Sequence, residues 1–132
     1  VFLQSNIHDT TMTVLQYPNN IIGHIFVSWL HPFKEHRLVV IGSKGMMSFE
    51  DSTEDKKLNF YGKTIDISDG IPKKIDGKTE EIPYDQEMPL DRELRYFVDH
   101  LDGSPIDISD ANSAIEVLKI LEIATDSLID DA

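Results

Sequence analysis

The sequence predicts an α+β fold, in which an open and predominantly antiparallel β-sheet carries two C-terminal helices on one face. Residues 9–51 contain four β-rich runs that turn residues join pairwise, which is typical of hairpins and not of alternating β-α units. Residues 90–102 and 109–128 instead place apolar side chains at helical spacing. The 132 residues suit a single domain, with the sheet at about 1–85.

Two hairpins are predicted first. One joins strands at Asp9–Tyr17 and Ile21–Leu30 through Pro-Asn-Asn, whose residue types suit a tight turn. The other joins Arg37–Gly42 to Met46–Asp51, and Gly45 between them can take the positive φ that a short hairpin loop demands.

The middle of the chain is less regular. A short strand is predicted at Leu58–Tyr61. The following stretch, 63–89, is polar and contains three prolines, so we expect a loose edge hairpin or excursion there.

The two helices complete the predicted order. The apolar stripe of the first helix must dock on another surface, and Gly103 stands where its C-terminal cap belongs. The second helix is expected to be capped by Asp107 or Ser109, with Asp110 near its positive N-terminal end.

The second predicted strand indicates that both faces of the sheet are covered. An antiparallel strand with one wet face should alternate apolar and polar residues. In residues 21–30, however, apolar residues occupy both alternating sets. We therefore expect the second face to form a homo-oligomer, a dimer or tetramer, or to lie on another domain. The predicted interface residues are Ile22, His24, Phe26 and Ser28.

Composition excludes several classes of function. The 24 acidic and 12 basic residues give a net charge of −12, which repels nucleic acid and anionic lipid. The longest apolar run is too short for a membrane span, so we expect a soluble protein. The absence of cysteine excludes thiolate catalysis and suits the cytoplasm, which is the expected location.

The sequence contains none of the common motifs for catalysis or cofactor binding. It has no glycine-rich fingerprint and no phosphate loop, so we expect no cofactor to bind to this chain. The five histidines lack the spacing of a metal site. His8 and Asp9 point to opposite faces if they lie on a strand. We therefore predict no catalytic residue and no metal site.

Residues 28–37 form the candidate site. They concentrate aromatic, cationic and hydrogen-bonding groups where a strand runs out into a loop. His31, Lys34 and Arg37 are the candidate substrate contacts. Alternatively, Trp29 and Phe33 mark a core or an interface, since large aromatic residues more often act as anchors there.

Four segments resemble the C-terminal domain of the Gfo/Idh/MocA oxidoreductases. They are GHIFVSWLHP at 23–32, VVIGSKG at 39–45, MSFED at 47–51 and KLNFY at 57–61. The helical ending, from Pro89 onward, is similar as well, so the resemblance covers nearly the whole chain. It is closest to the branch that acts on sugars and nucleotide sugars, such as UDP-N-acetylglucosamine-type 3-dehydrogenases.

The resemblance implies one half of a two-domain enzyme. In that family an N-terminal Rossmann domain holds NAD or NADP and a Glu-Lys-Pro lysine, and we expect this domain to be absent from the present chain. The family's catalytic Asp and His precede the sheet, so their roles are not transferred to His8 and Asp9. We expect a C-terminal substrate-contact and oligomerisation domain of an NAD(P)-dependent sugar oxidoreductase, inactive alone.

Two alternatives stay open. The first is a non-catalytic binding or scaffold domain of the same fold, for which no Gly-x-Gly-x-x-Gly or Glu-Lys-Pro segment would precede the chain. The second is a standalone enzyme with its site at residues 31–37, which predicts a ligand-induced thermal shift of this chain alone.

Overall fold

The computed structural model describes residues 3–5 and 7–129, and it shows an α+β fold as predicted. In chain order the elements are β1 (Thr10–Tyr17), β2 (Ile21–Ser28), β3 (Arg37–Gly42), β4 (Gly45–Glu50), β5 (Leu58–Tyr61), β6 (Thr64–Asp66), β7 (Lys73–Ile75), β8 (Thr79–Glu81), α1 (Pro89–Asp99) and α2 (Ala111–Ile129). A short 3-10 turn, Pro18–Asn20, separates β1 from β2.

The strands pair into three antiparallel sheets instead of one continuous sheet. The sheets are β1–β2, then β3–β4–β5–β8, then β6–β7. The described residues divide into two compact units, one with the segments up to Leu30 and from Glu87 onward, the other His31–Gln86. The single domain over the whole chain stays a prediction.

The β1–β2 hairpin confirms the first predicted turn. Asn19 and Asn20 take φ values of 62° and 60°, a left-handed conformation that asparagine tolerates better than most residues. The second strand ends two residues before the predicted Leu30. It ends there because the Ser28 hydroxyl accepts a hydrogen bond from the Leu30 N–H at 3.1 Å, which turns the chain.

The β3–β4 hairpin confirms the second hairpin predicted from the sequence. Its two-residue turn is Ser43-Lys44, and Gly45 follows as the first residue of β4 with a φ of +154°. The polar stretch after β5 contains the β6–β7 hairpin and the edge strand β8, which agrees with the edge hairpin expected there.

The first helix is shorter than predicted. It ends at Asp99, because His100 leaves the helical conformation with a φ of −106° and a ψ of 9°. Gly103, with a φ of +88°, closes the next turn through its N–H, which donates to the His100 carbonyl at 3.2 Å. The prediction that Gly103 caps the helix was therefore wrong.

The second helix begins at a different cap. Asp110 occupies that position, since its Oδ1 accepts a hydrogen bond from the Ser113 N–H at 2.8 Å. Ser109 takes a φ of 59°, and neither it nor Asp107 caps the helix as predicted. A carboxylate accepts this bond well, and its charge also complements the helix dipole.

Large apolar side chains remain accessible among the described residues. None of them is fully buried, and the stripe of α1 that includes Leu94 and Phe97 is exposed. Both faces of the β1–β2 hairpin are also accessible, although a two-stranded sheet is marginally stable by itself. These surfaces are the ones that further packing would cover.

Candidate functional site

The predicted substrate contacts lie in the loop before β3 and at the first residue of that strand. The His31 ring turns toward its own loop, where its Nδ1 lies 3.0 Å from the Phe33 carbonyl oxygen. The two rings also meet edge to face, with centroids 5.9 Å apart. This geometry orders the loop through His31.

Arg37 lies between two carboxylates. Its Nη2 lies 3.0 Å from Glu35 Oε1, and its Nε lies 3.4 Å from Glu50 Oε2, on the residue opposite it in the sheet register. A hydrogen bond from the Ser52 hydroxyl, aided by the Arg37 charge, lowers the pKa of Glu50. The guanidinium has five N–H donors and is half-exposed, so it can still bind a further acceptor.

A second ion pair stands beside the first. Asp51 lies 2.9 Å from the Lys56 ammonium, whose hydrogen bond and charge lower the pKa of Asp51 and raise that of Lys56. Lys34 and His36 add weaker Coulombic effects on Asp51. The structure thus brings Lys34 and Arg37 to the same end of the β3–β4 hairpin, while the contacts of His31 described above lie within its own loop.

The predicted interface residues share one face of the β1–β2 hairpin. Ile22, His24, Phe26 and Ser28 alternate along β2, and their register partners Met12 and Val14 on β1 are apolar. Ile22 and Phe26 are 67% and 51% exposed, respectively. The Ser28 and Thr10 hydroxyls, 2.6 Å apart, stand at one end of this face. An interface at this face stays a prediction.

Tyr84 makes contacts that the sequence did not predict. Its ring lies 5.8 Å from that of Phe49 at an interplanar angle of 82°, and its hydroxyl donates to the Lys56 carbonyl. It therefore holds the loop that carries the Asp51–Lys56 ion pair. Tyr84 lies in the polar stretch after β5, where no periodic pattern singles it out.

Asp9 also has a more defined place than expected from a polar residue before a strand. Its side chain is only 6% exposed, and its carboxylate accepts a hydrogen bond from the Leu3 N–H at 3.2 Å. Its carbonyl accepts another from the Trp29 N–H at 2.9 Å. Asp9 thus joins the segment before β1 to the end of β2.

Neither described helix is placed to hold a dinucleotide. A dinucleotide cradle needs a glycine-rich turn that leads from a strand directly into a helix. Long irregular segments, 82–88 and 100–110, precede α1 and α2 instead. Within residues 3–5 and 7–129, no three His, Asp or Glu side chains gather as a metal site would require. Across the same residues, no helix combines the length and apolar character needed to cross a membrane.

Antiparallel hairpins followed by two helices define an α+β fold. Residues 2–48 match the family model of the GFO/IDH/MocA C-terminal domain. The match spans β1, β2, β3 and most of β4, and it confirms the resemblance to this domain. It does not distinguish the nucleotide-sugar branch. No curated protein and no solved structure matches the chain.

Proposed function

We propose that the chain is the substrate-contact and oligomerisation domain of an NAD(P)-dependent oxidoreductase that acts on a sugar or nucleotide sugar. The observation that carries this proposal is the family match over residues 2–48, which includes the first hairpin, the loop after it and most of the second hairpin. A rival, non-catalytic scaffold of the same fold lacks redox activity in any assembly.

In this proposal one domain binds the cofactor and the other contacts the substrate. The described residues do not fit a dinucleotide, so NAD or NADP belongs to a Rossmann domain that packs against this one. The contribution of this chain is then a surface with cationic hydrogen-bond donors. Arg37 is half-exposed and has donors to spare, and Lys34 lies near the same hairpin end. Both side chains suit hydroxyl or phosphate oxygens of a substrate.

The complete protein, expressed from the full reading frame, tests the redox function. Nicotinamide reduction or oxidation is followed by absorbance with a panel of sugars and nucleotide sugars. Arg37→Ala should lower kcat/KM about tenfold or more, as the loss of a charge-assisted contact predicts, while Lys119→Ala on α2 leaves it unchanged. Absence of any nicotinamide-dependent turnover would support the scaffold instead.

The exposed face of the β1–β2 hairpin supports the proposed oligomerisation. Fully burying a side chain such as that of Ile22 or Phe26 stabilises by ~1.5–3 kcal/mol, and each still has half or more of its surface to bury. A second copy that covers this face would also supply the extra layer that a two-stranded sheet needs. We therefore propose a homo-oligomer through this face.

Sedimentation analysis tests the oligomer. Phe26→Asp should convert the oligomer to monomer, because an interface of this kind would have to bury the new carboxylate. Phe26→Leu is the matched control, since it keeps an apolar side chain at the same exposed position and should leave the oligomer intact. Far-UV circular dichroism confirms that both variants fold. A monomeric unmutated chain would refute the proposed interface.

A further inference from the structure

Two shallow depressions adjoin on the His31–Gln86 unit and share Met46 and Lys63. Each has a volume of about 300 Å³. One lies over β3, β4 and β5, and the other extends toward the β6–β7 hairpin. Together they form one continuous surface, which we call the cationic groove.

The groove brings three cationic side chains together in an acidic chain. Its lining residues include three cations, Arg37, Lys63 and Lys74, and the carboxylates of Glu35, Glu50 and Asp76 pair with two of them. The chain, by contrast, has twice as many acidic residues as basic ones. Because these carboxylates offset the charges of Arg37 and Lys74, the cationic character of the groove depends mainly on Lys63.

Lys63 is the cation best placed to bind a ligand. Arg37 and Lys74 share their charge with carboxylates, the latter with Asp76 at 3.0 Å. Within the described part of the chain, no salt bridge involves Lys63, although its charge helps to lower the pKa of Asp76 after the main effect of Lys74. Its half-buried side chain places the ammonium 6.0 Å from the centre of the Tyr61 ring.

Hydroxyl and apolar groups complete the groove. The Ser48 hydroxyl donates to the Tyr61 hydroxyl oxygen at 3.4 Å, which leaves the Tyr61 O–H available to a ligand. Met46 stands opposite Tyr61 in the register, and Val39 stands opposite Ser48. Cross-strand neighbours share a face, so these hydroxyl and apolar groups lie on the same side of the sheet as Arg37 and its partner Glu50.

We propose that the cationic groove binds a small amphipathic anion, an oxyanion group attached to an apolar part. Lys63 and the Tyr61 hydroxyl hold the oxyanion, and Met46 and Val39 contact the apolar part. This goes beyond the proposed function, because the family match ends at residue 48 and Lys63 lies outside it. It also needs no redox partner, since every contact lies in one unit.

Nuclear magnetic resonance titrations of the ¹⁵N-labelled chain test the groove with three probes, phenyl phosphate, benzoate and neutral benzyl alcohol. We expect saturable shifts at Met46, Ser48 and Tyr61 with one or both anions, and the stronger anion identifies the oxyanion class. Lys63→Ala should weaken binding about tenfold, Lys63→Arg should retain it, and Lys119→Ala should leave it unchanged.

Three results would refute the proposal that the cationic groove binds an anion. They are equal binding of the neutral probe, unchanged affinity in Lys63→Ala, and shifts scattered over surface lysines. None of these results affects the nicotinamide assay of the complete protein, so the failure of the groove and the failure of the proposed function are distinguishable.

Discussion

Replacing Gly45 with alanine tests how the second hairpin is built. A Cβ at this position would lie 2.6 Å from Phe60 Cζ and 2.8 Å from the Tyr61 carbonyl oxygen. Ordinary carbon contacts are about 3.5–4.0 Å, so the Phe60 ring must move by roughly 1 Å. Overpacking of this kind costs ~1–3 kcal/mol, and the φ of +154° adds ~1 kcal/mol or more. We therefore expect a loss of ~2–4 kcal/mol in the free energy of unfolding.

Two further alanine variants separate the cost of the steric overlap from the cost of the unfavourable φ. At Gly42, on the facing end of β3, a Cβ would meet only the Gly45 carbonyl at 3.6 Å, so Gly42→Ala should be neutral or slightly stabilising. At Gly103 the φ is +88° and an added Cβ would meet no atom of the described residues beyond its chain neighbours within 4 Å, so Gly103→Ala should show the conformational cost alone, ~1–2 kcal/mol.

Urea unfolding followed by far-UV circular dichroism measures all three variants, because the single Trp29 reports poorly on this hairpin. The thermal midpoint of Gly45→Ala should fall by roughly 5–15 °C. If Gly45→Ala and Gly42→Ala unfold at the same urea concentration, the close approach of Phe60 to Gly45 does not exist in solution.

Three further predictions concern a cap, a close contact and acid stability. Asp110→Ala should cost ~1 kcal/mol by removing the cap of α2, whereas Asp110→Asn retains most of it in thermal melts. Gly77→Ala should expose the amides of β8 to hydrogen exchange, because its Cβ would lie 2.0 Å from the Gly62 carbonyl oxygen and the backbone must move. Hydrogen bonds and neighbouring cations lower the pKa values of Glu50 and Asp51. The contribution of these two carboxylates to the free energy of unfolding is therefore complete above the ordinary carboxyl pKa of about 4. It is lost as the pH falls through the lowered pKa values. When the pH is lowered, the Glu50→Gln and Asp51→Asn variants should lose less stability than the unmutated chain, as unfolding measured along an acid titration will show.

The hairpins were predictable because their signals are local. Pro18 with two asparagines, and the Ser-Lys-Gly loop, determine turns between neighbouring strands whatever the rest of the chain does. The ends of the helices were less predictable. Asp107, Ser109 and Asp110 are all good caps by residue type, and only the path of the chain selects one of them.

The candidate site was predictable only in part. Arg37 and Lys34 stand where a strand meets a loop, a pattern that indicates binding residues. The cationic groove gave no such signal, since Lys63 and Lys74 come from a polar stretch without periodicity. Their place in the groove depends on how β5 pairs with β4 and on the β6–β7 hairpin, and no periodic pattern in the sequence marks either pairing.

The sequence by itself determined the α+β class, the two hairpins, the helical ending and the resemblance to an oxidoreductase domain, because turn chemistry and periodicity act over a few residues. Only the tertiary structure decided that the strands divide among three sheets, that Asp9 is buried and that one groove collects cations in an acidic chain. These features arise from contacts between distant segments, and the energy of such contacts depends on distances that no local pattern records.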